Sequence, residues 1–463
     1  MRRLSGVHQA GAILPRPACC HQTPASGRTP AGACKHNAVY HREGVGARCR
    51  LGRWAYNYRN AHAILDDRLG SFGVISAQEA RVQKTHIGIN AHLLAVKAGY
   101  RRAGIHHYIF QVLRHLPAAE STRYTIYTRL TDEWDGRPDL HPAGTRIPTT
   151  SRLARIAWEQ VVWPIQARRD GLTLMHSMAF AMPRLAPCPV VVTIYDLSFI
   201  ENPESFPTAQ RRYLMSETGY SCRHAVRLIA ISESGRRDIQ RHFGVPPERI
   251  DVVTPGVGSI YRPLPIDQVE QFRRNHDLPE RFILHVGTLQ PRKNIPFLLE
   301  AVARLGRTNV PLVLVGGRGW YYETIFEQVK ALGIADRVRF AGYVDDDDLP
   351  LWYNAATVLA FPSLYEGFGL PVAEALACGT AVVAADSSSI PEAGGDVAQY
   401  FTPGDVAGLT ARLALVLDTP ALLAQAQAAG PRHVARFSWS RAGEETAEVY
   451  RRAMVESACS EIR

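Results

Sequence analysis

The sequence predicts an α/β protein made of two doubly wound, Rossmann-like domains facing a cleft. Three observations predict it. At 463 residues the chain exceeds one ordinary hydrophobic core. Short apolar strands recur with loops and helices between them, first over His86 to Pro255 and again over Phe282 to Ala384. Between the two runs, Pro263 and Pro265 punctuate the chain where a linker would lie.

The elements follow in order. Residues 1–84 lack sustained periodicity and hold 13 Lys+Arg against 4 Asp+Glu, so they are read as a disordered basic extension. A first domain is expected over 85–263. It opens with a strand at His86–Asn90, a loop carrying Gly99 and Gly104, and a helix from Ile105 to Leu116. A Gly-containing turn after the first strand is where a doubly wound fold binds ligands. Arg152–Arg169 sets Trp158, Val161, Val162, Trp163 and Ile165 among four arginines. That pattern suits a helix packed on the sheet, and it also suits one lying on anionic lipid; the first reading is preferred, since the apolar stripe suffices for a core. A short strand, Leu174–Ser177, carries His176, and a buried strand, Pro189–Ile194, ends at Tyr195 and Asp196. Residues at such strand ends line the ligand crevice. Arg227–Ile231 leads to Ser232 and Ser234, which suit a helix cap. Ile250–Pro255 precedes the linker.

A second domain is expected over 264–438. Its first strand, Phe282–Val286, runs into Gly287, Thr288 and the stretch Leu289–Asn294, with Arg292 and Lys293 before a helix that ends near Leu305. Cations beside a Gly turn and a helix N-terminus are what a diphosphate needs. Strands follow at Val310–Val315 and Arg337–Phe340. Asp345–Asp348 suit the N-terminus of the next helix, where acids favour the dipole. A strand at Thr357–Phe361 opens the central stretch, PSLYEGFGLPVAEALACGTAVVAAD, over 362–386. Gly367 and Gly369 expose backbone N–H groups ahead of a helix expected at Val372–Ala377, with Pro371 and Glu374 in its first turn. Glu366 and Glu374 flank this anion-ready loop, and a carboxylate there can accept hydrogen bonds from vicinal sugar hydroxyls. Ala/Leu-rich helices at Val406–Val416 and Ala421–Ala429 precede a last helix, expected over 439–463.

The string from Glu366 to Glu374 resembles the E-x7-E signature of retaining nucleotide-sugar glycosyltransferases of family 4, which have the GT-B fold. The resemblance spans about residues 85–455 and is most specific over 286–294 and 362–395. It implies that Glu374 holds the donor ribose and that Glu366 lies by the donor sugar. Backbone groups of Gly367, Phe368, Gly369 and Leu370 would bind sugar hydroxyls. Lys293 matches the family's pyrophosphate lysine; the family's arginine often directly follows Gly287, where this chain has Thr288, and Arg292 is the substitute. Tyr343 and Val344 match the segment that presents backbone groups to the nucleotide base. Gly104 belongs to the opening Gly loop, facing acceptor and donor phosphate. Asp196 matches an acceptor-side residue, whereas Tyr195 stands where the family usually has His. A phenol can donate a hydrogen bond but cannot act as a base near neutral pH. Ser387–Ser389 and Glu392 resemble the family's P-E loop, whose serines would meet the phosphates. The resemblance also makes 85–263 the acceptor domain and 264–438 the nucleotide-sugar donor domain, and the last helix would cross back to the first domain. Because the resemblance starts near Thr85, an over-extended start explains residues 1–84 better than a transit peptide does.

Composition narrows the function. Outside the first 84 residues 40 basic residues face 39 acidic ones, so no nucleic-acid partner is implied for the folded part. Cys188, Cys222, Cys378 and Cys459 are scattered, as in a reducing compartment. Cys19, Cys20, His21, Cys34 and His36 fit no standard zinc spacing. No run approaches the ~20 apolar residues of a membrane span, and the N-terminus has charge without the apolar core of a secretory signal. The expectation is a cytoplasmic, metal-independent, retaining hexosyltransferase without a cofactor, in peripheral contact with the inner face of the membrane. Its donor would be GDP- or UDP-linked, with mannosyl favoured by resemblance, and its acceptor a glycan or lipid-linked. The alternatives are a sugar-nucleotide epimerase or hydrolase on the same fold, or a non-catalytic nucleotide-sugar binding subunit.

Overall fold

Seven strands form one parallel sheet and six form another. In the first, β1 (Thr85–Asn90), β2 (Thr122–Tyr127), β3 (Leu140–Ala143), β4 (Leu174–Ser177), β5 (Val190–Ile194), β6 (Arg227–Ala230) and β7 (Ile250–Val252) take the order β3-β2-β1-β4-β5-β6-β7. In the second, β8 (Ile283–Val286), β9 (Leu312–Val315), β10 (Val338–Gly342), β11 (Val358–Phe361), β12 (Ala381–Ala385) and β13 (Gln399–Phe401) take the order β10-β9-β8-β11-β12-β13. This computed structural model describes residues 85–461 except 95–103, 119–120, 131–133, 135–136, 138, 146, 148, 150, 318 and 320–321. The chain divides into two units, Met1–Gln78 and Glu79–Arg463, and the described residues belong to the second. The basic extension, its cysteines and Gly99 lie outside them.

Helices cover both faces of each sheet, so β4, β5, β6, β8, β9, β11 and β12 are buried at every position. That explains why they read as continuous apolar runs. Three strands had no such signal. β2 and β3 interleave Thr, Arg, His and Pro with apolar residues, and β13 has only three residues.

The Arg152–Arg169 segment is helical in three pieces, Arg152–Ala157, a π-helical turn at Trp158–Val162, and Trp163–Arg169. Trp158 and Trp163 are fully buried against Tyr127 in the first half's core. A π turn inserts a residue and rotates the helix beyond it. Leu153, Val161 and Ile165 face outward, 78%, 58% and 51% exposed.

The last helix, Trp439–Glu461, packs on the Ile105–His115 helix and on β5 and β6 of the first sheet. Its Tyr450 hydroxyl lies 2.7 Å from Nδ1 of His176 on β4. Among the described residues, no single helix is long and apolar enough to cross a membrane.

Candidate active site

In the second sheet the strand order changes direction at β8, with β9 on one side and β11 on the other. Loops leaving adjacent strands at such a point diverge and open a crevice. The Gly287–Asn294 loop leaves β8 and the Pro362–Gly369 loop leaves β11, so the two stretches singled out in the sequence meet there. The amide of Leu364 donates to the Arg292 carbonyl at 2.9 Å and ties the loops together.

A compact charge cluster results. Arg292 Nη1 donates to Glu366 Oε2 at 2.8 Å and to the Tyr365 carbonyl at 2.5 Å. Lys293 Nζ donates to Glu366 Oε1 at 2.7 Å and sits 4.9 Å from the centre of the Phe361 ring. Burial alone would push the Glu366 carboxyl up, but Arg292 and Lys293 outweigh it and hold the pKa down at about 2. Burial lowers the Lys293 pKa despite the opposing effect of Glu366. Asp196, half-buried at the end of β5, adds to the field that favours the charge on Arg292. Its own Oδ1 accepts from the Ser198 amide at 2.9 Å and the Ser198 hydroxyl at 2.5 Å.

The Glu366 main chain is held as firmly as its side chain. Its amide donates to Ser388 Oγ at 2.9 Å and its carbonyl accepts from Ser389 Oγ at 2.8 Å. These hydroxyls, expected at the phosphates, are engaged by the loop itself. Gly367 lies so near the Tyr195 carbonyl that a Cβ would stand 2.4 Å from that oxygen. Only glycine fits such an approach.

Glu374 departs from expectation in its place on the helix. Gly369 adopts φ 102° as the N-cap, and the helix runs Leu370–Ala377. It therefore starts two residues earlier than the sequence suggested, and Glu374 lies beyond its first turn. Dipole compensation does not account for this carboxylate. Burial pushes its pKa up to about 7, while the Tyr353 hydroxyl, donating to Oε2 at 2.8 Å, pulls it down and Asp346 pushes it further up. Gly287 and Thr288 are half-buried beyond β8; Tyr343 is exposed and Val344 half-buried beyond β10. Because the sheet is parallel, all of these lie at the same edge as Glu366. Phe368 is buried and Leu370 half-buried.

Two acceptor-side expectations are corrected. Tyr195 is 3% exposed and its hydroxyl donates to the Met178 carbonyl at 2.7 Å, so the phenol is engaged in the core. His176 is fully buried between Tyr450 and Thr193, at 2.7 and 2.9 Å, and burial lowers its pKa to about 3. It is a neutral core histidine that joins the last helix to β4. Sequence placed both residues at strand ends but could not tell which way their side chains point. Gly104 is exposed, at the head of the Ile105–His115 helix.

Tyr365, Asp238 and Tyr353 were not anticipated; only the adjacency of Tyr365 to Glu366 hinted at a role. Among the described residues, no group of three or more His, Cys, Asp and Glu side chains could hold a metal ion. A cavity of about 710 Å³ lies between the Ile105–His115 helix, the 257–263 segment and Phe437–Ser440, and none of Arg292, Lys293 and Glu366 lines it.

Known proteins match this chain in sequence and in fold. The family described as "Glycosyl transferases group 1" matches residues 267–433, and "Glycosyltransferase Family 4" matches 88–258. O-antigen chain mannosyltransferase B of Escherichia coli is 32% identical over 294 residues, 62% of this chain and 76% of the relative. A D-inositol 3-phosphate glycosyltransferase of Streptomyces bingchenggensis is 36% identical over 50% of this chain, which spans about half (53%) of that relative. Sucrose-phosphate synthase from Thermosynechococcus elongatus superposes with a TM-score of 0.66 at 23% identity, over 81% of this chain and all (100%) of the other. Anabaena HepE, solved with UDP and glucose, superposes with a TM-score of 0.60 at 19% identity, over 79% and 99%.

Proposed function

The chain belongs to the group 1 glycosyl transferases and is a glycosyltransferase of GT-B fold, and on that premise we propose that it moves a hexosyl unit, mannosyl first, from a GDP- or UDP-linked sugar to a glycan or lipid-linked acceptor with retention of configuration. The observation that carries this reading is the Arg292–Lys293–Glu366 cluster at the switch point of the second sheet. The bond from the anomeric carbon to the diphosphate breaks, and its electron pair leaves with the diphosphate. Arg292 and Lys293 stabilise the charge that develops there. Glu366 lies at the sugar end, where positive charge grows, and Glu374 accepts from the ribose hydroxyls. The acceptor oxygen attacks from the face of the leaving diphosphate, which takes the acceptor's proton. With two cations at the diphosphate, the reaction has no need of a divalent metal. Mannosyl is put first because the relative matched over most of its own length is named a mannosyltransferase.

Thermal-shift screening with GDP- and UDP-sugars identifies the donor, because a ligand that binds only the folded state raises Tm. NMR of the product decides the stereochemistry; an inverted anomeric centre rejects the mechanism. Turnover in EDTA is expected to equal turnover without it.

The outward Leu153, Val161 and Ile165, bordered by the exposed Arg152, Arg168 and Arg169, support a cytoplasmic enzyme in peripheral contact with anionic lipid. Co-flotation with phosphatidylglycerol vesicles, and its loss in Leu153→Glu/Ile165→Glu, is the expected result.

A further inference from the structure

Tyr365, one residue before Glu366, reaches out of the second half into the first. Its hydroxyl donates to Asp238 Oδ2 at 2.6 Å and accepts from the Leu197 amide at 3.3 Å. Tyr365 and Asp238 are each 7% exposed, so the bond between them is shielded from water. Asp238 lies on the Glu233–Phe243 helix, and a second residue of the second half engages the same helix. Glu392 accepts from the Glu233 amide at 2.8 Å and the Ser234 amide at 2.6 Å, with Arg237 at 3.7 Å. A carboxylate there satisfies N–H groups that have no partner within the helix and suits the positive end of its dipole.

Both contacts begin in segments that also hold Glu366. The main-chain carbonyl of Tyr365 accepts from Arg292 at 2.5 Å, and Arg292 pairs with Glu366. Ser388 and Ser389, just ahead of Glu392, bind the Glu366 amide and carbonyl. Between them, Gly367 lies against the Tyr195 carbonyl of the first half. Each bridging segment thus has one end on the Glu366 cluster and the other on the opposite wall of the cleft. Such bonds exist only while the two halves are together, and they break whenever the halves part to admit substrate or release product.

We propose that Tyr365 with Asp238, assisted by Glu392, forms a latch that closes the cleft and in closing sets Arg292 and Glu366 in their working positions. Tyr365 is then a positioning residue of the transfer. This second clause rests on the function proposed above; the closure itself does not.

Tyr365→Phe and Asp238→Ala test it in the full chain, by small-angle scattering and by steady-state kinetics. The expected result is a larger radius of gyration than wild type in both, with circular dichroism unchanged. Loss of a buried hydrogen bond to a carboxylate shifts the open–closed balance by roughly 10- to 100-fold, and kcat falls in that range. Affinity for the nucleoside diphosphate, whose contacts lie in the second half, stays within about threefold. The double variant costs less than the sum of the singles, because the Tyr365–Asp238 bond is lost in both. Asp238→Asn keeps an acceptor oxygen and recovers part of kcat. Glu392→Ala opens the cleft with Tyr365 intact, which keeps the test valid if Tyr365→Phe fails to fold. An unchanged radius of gyration overturns the latch, even if kcat falls, and so does an additive double variant. A widened radius in variants of a protein that transfers no sugar leaves the latch standing and removes the transferase reading. Wild-type transfer with unaltered variants does the reverse.

Discussion

Glu366 is paired with Arg292 at 2.8 Å and Lys293 at 2.7 Å, so a bound diphosphate has to share both cations with it. Lys293→Ala should weaken nucleoside diphosphate binding by ~1.5–3 kcal/mol, the worth of a charge-assisted contact. Calorimetry checks this, and an affinity within about twofold of wild type (roughly 0.4 kcal/mol) removes the phosphate assignment. The two glutamates should separate kinetically. Glu366→Gln should chiefly lower kcat, because the charge it opposes grows in the transition state. Glu374→Gln should chiefly raise the donor KM, because ribose contacts are made in the ground and transition states alike. Equal kcat effects would refute this division. Acidity separates them further. The Glu374 pKa is raised to about 7, so its contribution to stability is full below the ordinary Glu value and is lost as pH rises through about 7. Donor binding runs the opposite way, because an ionised carboxylate is the better acceptor for two hydroxyls. The donor KM should therefore fall between about pH 6 and pH 8 in wild type and stay flat in Glu374→Gln. The Glu366 pKa is depressed to about 2, so its contribution is present above the ordinary Glu value and disappears only in strong acid, outside that window.

Among the elements, the last helix has the widest reach. Trp439–Glu461 follows the second half in sequence and packs on the first sheet, where Tyr450 meets the buried His176. Tyr450→Phe leaves that imidazole nitrogen without its partner. The expected cost is about 1–3 kcal/mol, read by denaturant unfolding, with nucleoside diphosphate affinity unaltered because the site lies on the other sheet. The sequence announced this helix but offered no sign of its anchor. His176 read as a cleft residue because β4 ends nearby, and one strand position decides whether a side chain enters the core or the crevice. The Leu370–Ala377 helix shows the converse. Its motif was plain, yet its start was misplaced by two residues, because the positive φ of Gly369 lets the helix begin immediately after it.

For the whole molecule, the excess charge belongs to the residues outside the described fold: 13 basic against 4 acidic over 1–84, and 40 against 39 beyond. Deleting residues 1–80 should leave Tm and donor binding nearly unchanged; a large loss of either would show that they contribute to the fold. Local patterns in the sequence were enough for the α/β class, the two runs of strands and the two loops that hold Arg292, Lys293 and Glu366. Strand runs, glycine turns and paired charges are properties of neighbours in the chain, and they are legible there. Only the tertiary structure decided that Arg292 and Lys293, some 73 to 74 positions from Glu366, converge on one carboxylate. It also decided that Tyr365 reaches across 127 positions to Asp238, and that Tyr195 and His176 turn into the core. Such contacts depend on strand order and side-chain direction, which are set by packing the sheets and helices together and leave no periodic trace in the sequence.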